Sequence, residues 1–150
     1  MQIREKETEY KFEELIGLAA REKNKKRGCL FVNRYQAKHV PVSPKQAIHL
    51  FDLLAEELTC FDGQTLTFIG FAETATAIGA RLAVRFPGKA YYLQTTREQI
   101  DDQLQVVDFE EEHSHATEQK LYCGDIACVL NSTDQIVFVE DEVSTGNTIL

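Results

Sequence analysis

Apolar residues along the chain fall into short runs and spaced stripes that predict an alternation of strands and helices. The last run, Ile136, Val137, Phe138 and Val139, is continuous. Lacking a polar alternate, it reads as a strand buried on both faces, as in a parallel sheet covered by helices. Residues 65–70 and 90–93 read as further strands, residues 29–32 as a short early one, and residues 103–109 as another candidate. Helical spacing predicts a first helix over residues 8–20, with Phe12, Leu15, Ile16 and Ala19 on one face.

The strongest start signal is at Ser43, where an N-cap serine is followed by proline at the first helical position and glutamine at the third. That is a capping box, and the stripe Ala47, Ile48, Phe51, Leu54, Ala55 and Leu58 extends the helix to about residue 58. A third helix should run to Phe86, with Ile78, Leu82 and Phe86 inward, before Pro87 and Gly88 stop it. Between strand 65–70 and that helix lies a loop of small residues, the first half of a β-α-β unit. Residues 94–135 show little periodicity beyond the candidate strand and a turn at 131–134.

The chain has 150 residues, enough for one domain with a real core. No apolar stretch is long enough to span a bilayer, and the first residues lack the apolar core of a signal peptide. The four cysteines, Cys29, Cys60, Cys123 and Cys128, have no C-x-x-C spacing, so reduced thiols and a cytoplasmic location are expected. Net charge is −8 and unevenly spread. Residues 1–97 hold 15 Lys/Arg against 11 Asp/Glu, whereas residues 98–150 hold Lys120 against 13 acids. Nucleic-acid binding wants a broad basic face, which this distribution does not offer. The basic run 21–27, closed by Gly28, fits a solvated helix end better than a phosphate patch.

Candidate chemistry gathers at the C-terminal end. The apolar run breaks into Glu140, Asp141 and Glu142, then Ser144, Thr145, Gly146, Asn147 and Thr148. Open α/β sheets place ligands at the carboxyl ends of their strands. Gly146 permits a tight turn and close approach of an anion, and successive amides there make an anion-binding concavity. Acids beside such a loop make sense if they accept hydrogen bonds from sugar hydroxyls while the amides hold a phosphate, which describes a ribose 5-phosphate site. Elsewhere, His113, Ser114 and His115 sit among glutamates. By residue type they suit a metal site, a loop touching substrate or a solvated loop, although no H-E-x-x-H spacing is present.

Residues 137–148 resemble the signature of type I phosphoribosyltransferases: a hydrophobic strand, two acids, two residues, then a Ser/Thr-rich loop with glycine. The resemblance implies that Glu140 and Asp141 hold the 2- and 3-hydroxyls of phosphoribosyl pyrophosphate (PRPP). Ser144, Thr145, Gly146, Asn147 and Thr148 would wrap its 5-phosphate. It further implies that Ala72, Glu73, Thr74, Ala75 and Thr76 hold the pyrophosphate, and that a catalytic loop closes over the site in the region of His113, Ser114 and His115. Glu142 departs from the pattern, standing where the family usually has an apolar residue. Residues 38–44, 70–79, 109–118 and 139–148 together resemble the phosphoribosyltransferase domain encoded in tellurium-resistance-type bacterial stress operons, whose core is similar to orotate phosphoribosyltransferase.

The expected fold is therefore α/β, a mainly parallel sheet flanked by helices, in a single domain. Residues 1–42 would form a small N-terminal hood and residues 43–150 the α/β core. The implied reaction transfers phosphoribose from PRPP to a nitrogen nucleophile, releasing pyrophosphate, with magnesium bound through the pyrophosphate and no metal held by protein ligands alone. A PRPP- or nucleotide-binding regulator without turnover is the rival, and a metal hydrolase using His113 and His115 a third reading. The chain stops two residues after Thr148, where the phosphate loop is expected to feed a helix. Residues 1–150 are thus expected to be a C-terminally truncated core, weakly stable or associated, with homodimerisation left open and neither nucleic acid nor membrane as a partner.

Overall fold

The structure, a computed structural model, describes residues 10–20, 29–38, 40–100, 104–109 and 119–142. The chain divides into two compact units, Met1–Ala47 and Ile48–Leu150. In the first, a single helical turn, α1 (Phe12–Leu15), leads directly into β1 (Ile16–Ala20), which pairs antiparallel with β2 (Cys29–Asn33) from Ile16↔Asn33 to Ala20↔Cys29. The continuous first helix expected over residues 8–20 is therefore corrected to one turn and a strand; residues 8 and 9 lie outside the described part. Ile16 and Gly17 are weak helix formers, and pairing with β2 satisfies backbone groups that an isolated helix end would leave open. The stripe at Ile16 and Ala19 misleads because so short an apolar pattern fits either period.

Helix α2 (Pro44–Glu56) starts where its capping box lies. The Ser43 amide donates to Gln46 Oε1 at 3.3 Å, and the Gln46 amide donates to Ser43 Oγ at 3.3 Å. The helix tightens into a 3-10 turn, Glu57–Phe61, before the chain enters the sheet.

The second unit is built on a five-stranded sheet. Its strands are β3 (Thr65–Gly70), β4 (Lys89–Thr96), β5 (Gln105–Phe109), β6 (Gln119–Cys123) and β7 (Gln135–Val139), in the spatial order β5-β6-β4-β3-β7. Strands β4, β3 and β7 run parallel, while β6 lies antiparallel to both of its neighbours, β4 and β5. Strand β3, between β4 and β7, is almost wholly enclosed: Leu66, Thr67 and Phe68 have no exposed surface. Thr67 is tolerable there because its hydroxyl meets that of Thr133 at 2.5 Å, as a buried polar group requires.

Helix α3 (Thr74–Arg85) connects β3 to β4 and buries Ala75, Ile78, Gly79 and Leu82, an i, i+3, i+4, i+7 face. Its C-cap, Phe86, meets Phe68 edge-on at 6.0 Å between ring centroids. Gly79 lets helix and sheet approach closely: a side-chain carbon there would lie 3.3 Å from Gly70 Cα and 3.1 Å from the Tyr92 ring.

Helix α4 (Ile126–Asn131) leads into β7 and is capped by Asp125, whose Oδ1 accepts from the Cys128 amide at 2.9 Å. The turn after α4 is tied to the start of β3. The Asp134 amide donates to Thr65 O at 2.8 Å, and Asp134 Oδ2 accepts from the Thr65 amide at 2.7 Å. These bonds set the register of β7 on β3. The continuous burial expected for residues 136–139 holds only at the end, since Val139 is buried but Ile136 is 42% exposed. Among the described residues β7 has a neighbouring strand on one side only, β3.

Candidate functional site

The parallel register places two loops on one edge. Gly70, the last residue of β3, pairs with Val139, the last of β7, and strands lie about 4.8 Å apart. The loop 71–73 and the acids Glu140 and Asp141 therefore leave the carboxyl edge of the sheet side by side. The Phe71 amide donates to Val139 O at 3.0 Å, carrying the pairing one residue past the strand. Glu140 and Asp141 are partly buried and Glu142 is exposed. The Asp141 amide donates to Glu140 Oε1 at 3.0 Å, so the first acid folds back on the turn that follows it.

The loop between β3 and α3 is held from three sides. The Ala72 amide donates to Thr95 Oγ1 at 2.8 Å and to Gln119 Oε1 at 3.1 Å, and Gln119 Nε2 donates back to Ala72 O at 3.1 Å. Thr95 also donates to Gln119 Oε1. Thr95 and Gln119 are 1% and 2% exposed, so this is a buried, closed polar network. The Ala72–Glu73 peptide is cis. Thr76 then seats the helix start, its hydroxyl donating to Glu73 O at 2.7 Å. The Tyr92 hydroxyl donates to Thr76 O at 2.7 Å, and burial pushes the Tyr92 phenol above its ordinary value.

Gly70 is required by this packing. A side-chain carbon on it would lie 2.9 Å from Ala75 O and 3.1 Å from Thr76 Cα, both backbone atoms. The start of α3 is thereby brought against the end of β3; within it the Thr76 amide donates to Glu73 O at 3.4 Å.

Three aromatic rings lie beneath the same edge. Phe71 meets Phe109 at 5.2 Å and Phe138 at 6.1 Å, and Phe109 meets Phe138 at 6.3 Å. Phe109 and Phe138 belong to strands at opposite ends of the strand order, so the β5–β6 ribbon must curl over the sheet rather than extend it.

Of the residues singled out in the sequence, Ala72, Glu73, Thr74, Ala75, Thr76, Glu140 and Asp141 come together on one edge. Ser144, Thr145, Gly146, Asn147 and Thr148 lie outside the described residues, as do His113, Ser114 and His115. Thr95 and Gln119 were missed. Residues 90–93 stop short of Thr95, whereas β4 continues to Thr96. Strand β6 went unread because a polar residue, Gln119, occupies one of its inward positions beside Leu121. The residue of β6 that matters most to the site is therefore the one that hides the strand.

The donors along this edge are hard oxygen groups: the carboxylates of Glu73, Glu140 and Asp141 and the hydroxyls of Thr74 and Thr76. They suit magnesium, which takes oxygen ligands and keeps several waters. An acidic edge opposes an anionic ligand unless a divalent cation accompanies it, which is the same fit from the electrostatic side. Among the described residues no group of three or more His, Cys, Asp or Glu side chains is placed to hold a metal ion without such a ligand.

A mostly parallel sheet flanked by helices is the architecture of the type I phosphoribosyltransferases. The chain belongs to the phosphoribosyl transferase family, whose sequence model matches residues 15–150. The structure is similar to that of adenine phosphoribosyl transferase from Trypanosoma brucei, solved with AMP, pyrophosphate and ribose 5-phosphate. That match has a TM-score of 0.56 and 13% identity, over 92% of this chain and 56% of that one. It is also similar to adenine phosphoribosyltransferase from Leishmania tarentolae, with a TM-score of 0.58 and 15% identity over 91% of this chain and 61% of the other. At such identities the likeness is one of fold, and the chain spans little more than half the length of these structures. No curated protein matches it.

Proposed function

We propose that this chain carries the PRPP-binding core of a phosphoribosyltransferase that moves phosphoribose to a nitrogen nucleophile, a nucleobase-like acceptor, and releases pyrophosphate. The observation that carries this reading is the Gly70↔Val139 pairing. It brings the loop proposed to bind pyrophosphate and the acids proposed to bind ribose to adjacent positions, as one extended ligand with two anionic ends requires. Glu140 and Asp141 accept hydrogen bonds from the 2- and 3-hydroxyls. The loop Ser144, Thr145, Gly146, Asn147 and Thr148 holds the 5-phosphate, and residues 72–76 hold the leaving pyrophosphate. When bound, magnesium neutralises charge on the pyrophosphate. No protein nucleophile is needed, because the chain's own groups act by positioning both ends of PRPP around the anomeric carbon.

A PRPP sensor that binds without turnover is the alternative, favoured by the exposed carboxylate of Glu142 next to the acid pair. The experiment that separates them incubates the protein with PRPP, magnesium and a panel of nucleobases, then a metabolite extract, and measures pyrophosphate release. Release dependent on an acceptor supports the transferase. PRPP binding without release supports the sensor, and absence of PRPP binding removes both. We further propose a cytoplasmic location, which the free thiols of Cys29, Cys60, Cys123 and Cys128 support. No helix among the described residues is long and apolar enough to cross a membrane. A role in a tellurium-resistance-type stress operon rests on the resemblance of residues 38–44, 70–79, 109–118 and 139–148, and residues 1–42 are proposed as the hood.

A further inference from the structure

We infer that Gln119, with Thr95, is a positioning residue for the pyrophosphate loop, acting on ligand only through the backbone of Ala72; this rests on the proposed binding role of residues 72–76. A glutamine amide presents one acceptor and two donors, and here it meets the N–H and C=O of a single residue, as a neighbouring strand would. Gln119 Oε1 accepts from the Ala72 N–H and Gln119 Nε2 donates to the Ala72 carbonyl, both at 3.1 Å, and Thr95 Oγ1 accepts from the same N–H at 2.8 Å. Ala72 is thus engaged inside the protein and serves as the anchor. The amides proposed to meet an anion are those that follow it, at the start of α3. A buried polar network of this kind is costly to leave half-made, so its presence at 1–2% exposure selects one loop conformation. An apolar pair would fill the same space without specifying where the peptide lies.

The arrangement also explains why β4 runs on past its pairing with β3. The last β4–β3 pair is Gly70↔Gln94, and the next residue, Thr95, pairs instead with Leu121 of β6. Thr95 therefore stands where β4 passes from one neighbour to the other, with its hydroxyl toward the chain leaving β3. Gln119 reaches the same point from the start of β6.

The test measures binding of magnesium pyrophosphate and, separately, of ribose 5-phosphate by calorimetry to the 150-residue chain and its variants. Gln119→Leu removes the amide at similar volume; Thr95→Val removes only the hydroxyl, a milder change that keeps the strand; Thr95→Ser restores it. Positioning predicts that Gln119→Leu weakens pyrophosphate by about tenfold or more and Thr95→Val by a smaller factor. Ribose 5-phosphate affinity should change less than about twofold, and Thr95→Ser should bind like the parent chain. Equal losses for both ligands, or none for either, overturn the inference and leave the proposed function standing. Failure of the parent chain to bind either ligand overturns the proposed function and this inference with it.

Discussion

Arg81 on α3 grips Asp52 on α2 through two parallel hydrogen bonds, Nε to Oδ1 at 2.6 Å and Nη2 to Oδ2 at 2.8 Å. This fork-to-fork geometry is open to arginine and closed to lysine. The Arg81 hydrogen bond is the main reason that the Asp52 carboxyl titrates below its ordinary value of 3.8, with partial burial opposing and Arg85 at 3.4 Å assisting. A carboxylate with a lowered folded-state value contributes stability above its unfolded value and loses it as pH falls through the folded one. We predict that Asp52→Asn lowers the melting temperature at neutral pH, and that the gap from the parent closes below about pH 4. Thermal melts of both proteins across that range check it; a gap that widens in acid contradicts the sign.

Gly70→Ala should destabilise more than Gly79→Ala. At Gly70 the new carbon meets backbone atoms at 2.9 and 3.1 Å, whereas at Gly79 the nearest atom belongs to the Tyr92 ring. A ring edge can shift; the first turn of a helix cannot without moving the loop before it. Overpacking of this kind costs roughly 1–3 kcal/mol, and urea unfolding of the two variants gives the order directly.

Asp141→Asn should leave the fold intact and weaken PRPP binding. Loss of a charge-assisted hydrogen bond to a ribose hydroxyl costs roughly 1.5–3 kcal/mol. Calorimetry with PRPP and magnesium measures it, and an unchanged affinity in a chain that binds PRPP removes Asp141 from the ribose site.

Gly146→Val is predicted to abolish PRPP binding, because a β-branched residue neither adopts a left-handed turn nor lets a phosphate approach the backbone. Binding equal to the parent would sink the phosphate-loop assignment.

Phe109 and Phe138 should be energetically coupled although 29 positions separate their numbers. Edge-to-face rings are worth about 0.5–1.5 kcal/mol beyond their burial. A double-mutant cycle with leucine at each position should recover a coupling in that range, and additivity would mean that each ring packs only against Phe71.

What could be read in advance follows the physics of each segment. Strand β3, helix α3 and the capped start of α2 carry signals that are local and mutually consistent, a buried apolar run, an i, i+3, i+4 stripe, and Ser43 with Gln46. The end of β7 was legible because Glu140 and Asp141 interrupt an apolar run abruptly. Strand β1 was not, since its identity depends on β2 further along the chain, and β-propensity yields to the partner strand. Gln119 and Thr95 were illegible for a related reason: polar residues inside a strand look like solvent-facing ones until their partner, here one backbone peptide at Ala72, is known. Helix α4 offered a cue in Asp125, an N-cap aspartate, but six residues are too few for a stripe.

The attachment of the β5–β6 ribbon has a kinetic consequence. Its own ladder runs the length of both strands, from Gln105↔Cys123 to Phe109↔Gln119, yet among the described residues its strand pairing with the main sheet is limited to Thr95↔Leu121 and Thr96↔Lys120. So narrow a seam predicts that the ribbon can open below the free energy of global unfolding. When it opens, Gln119 leaves with it. The amide hydrogen of Ala72 would then exchange with solvent at the rate set by the ribbon, while that of Phe68, a few residues earlier in the same chain, waits for the whole sheet to come apart.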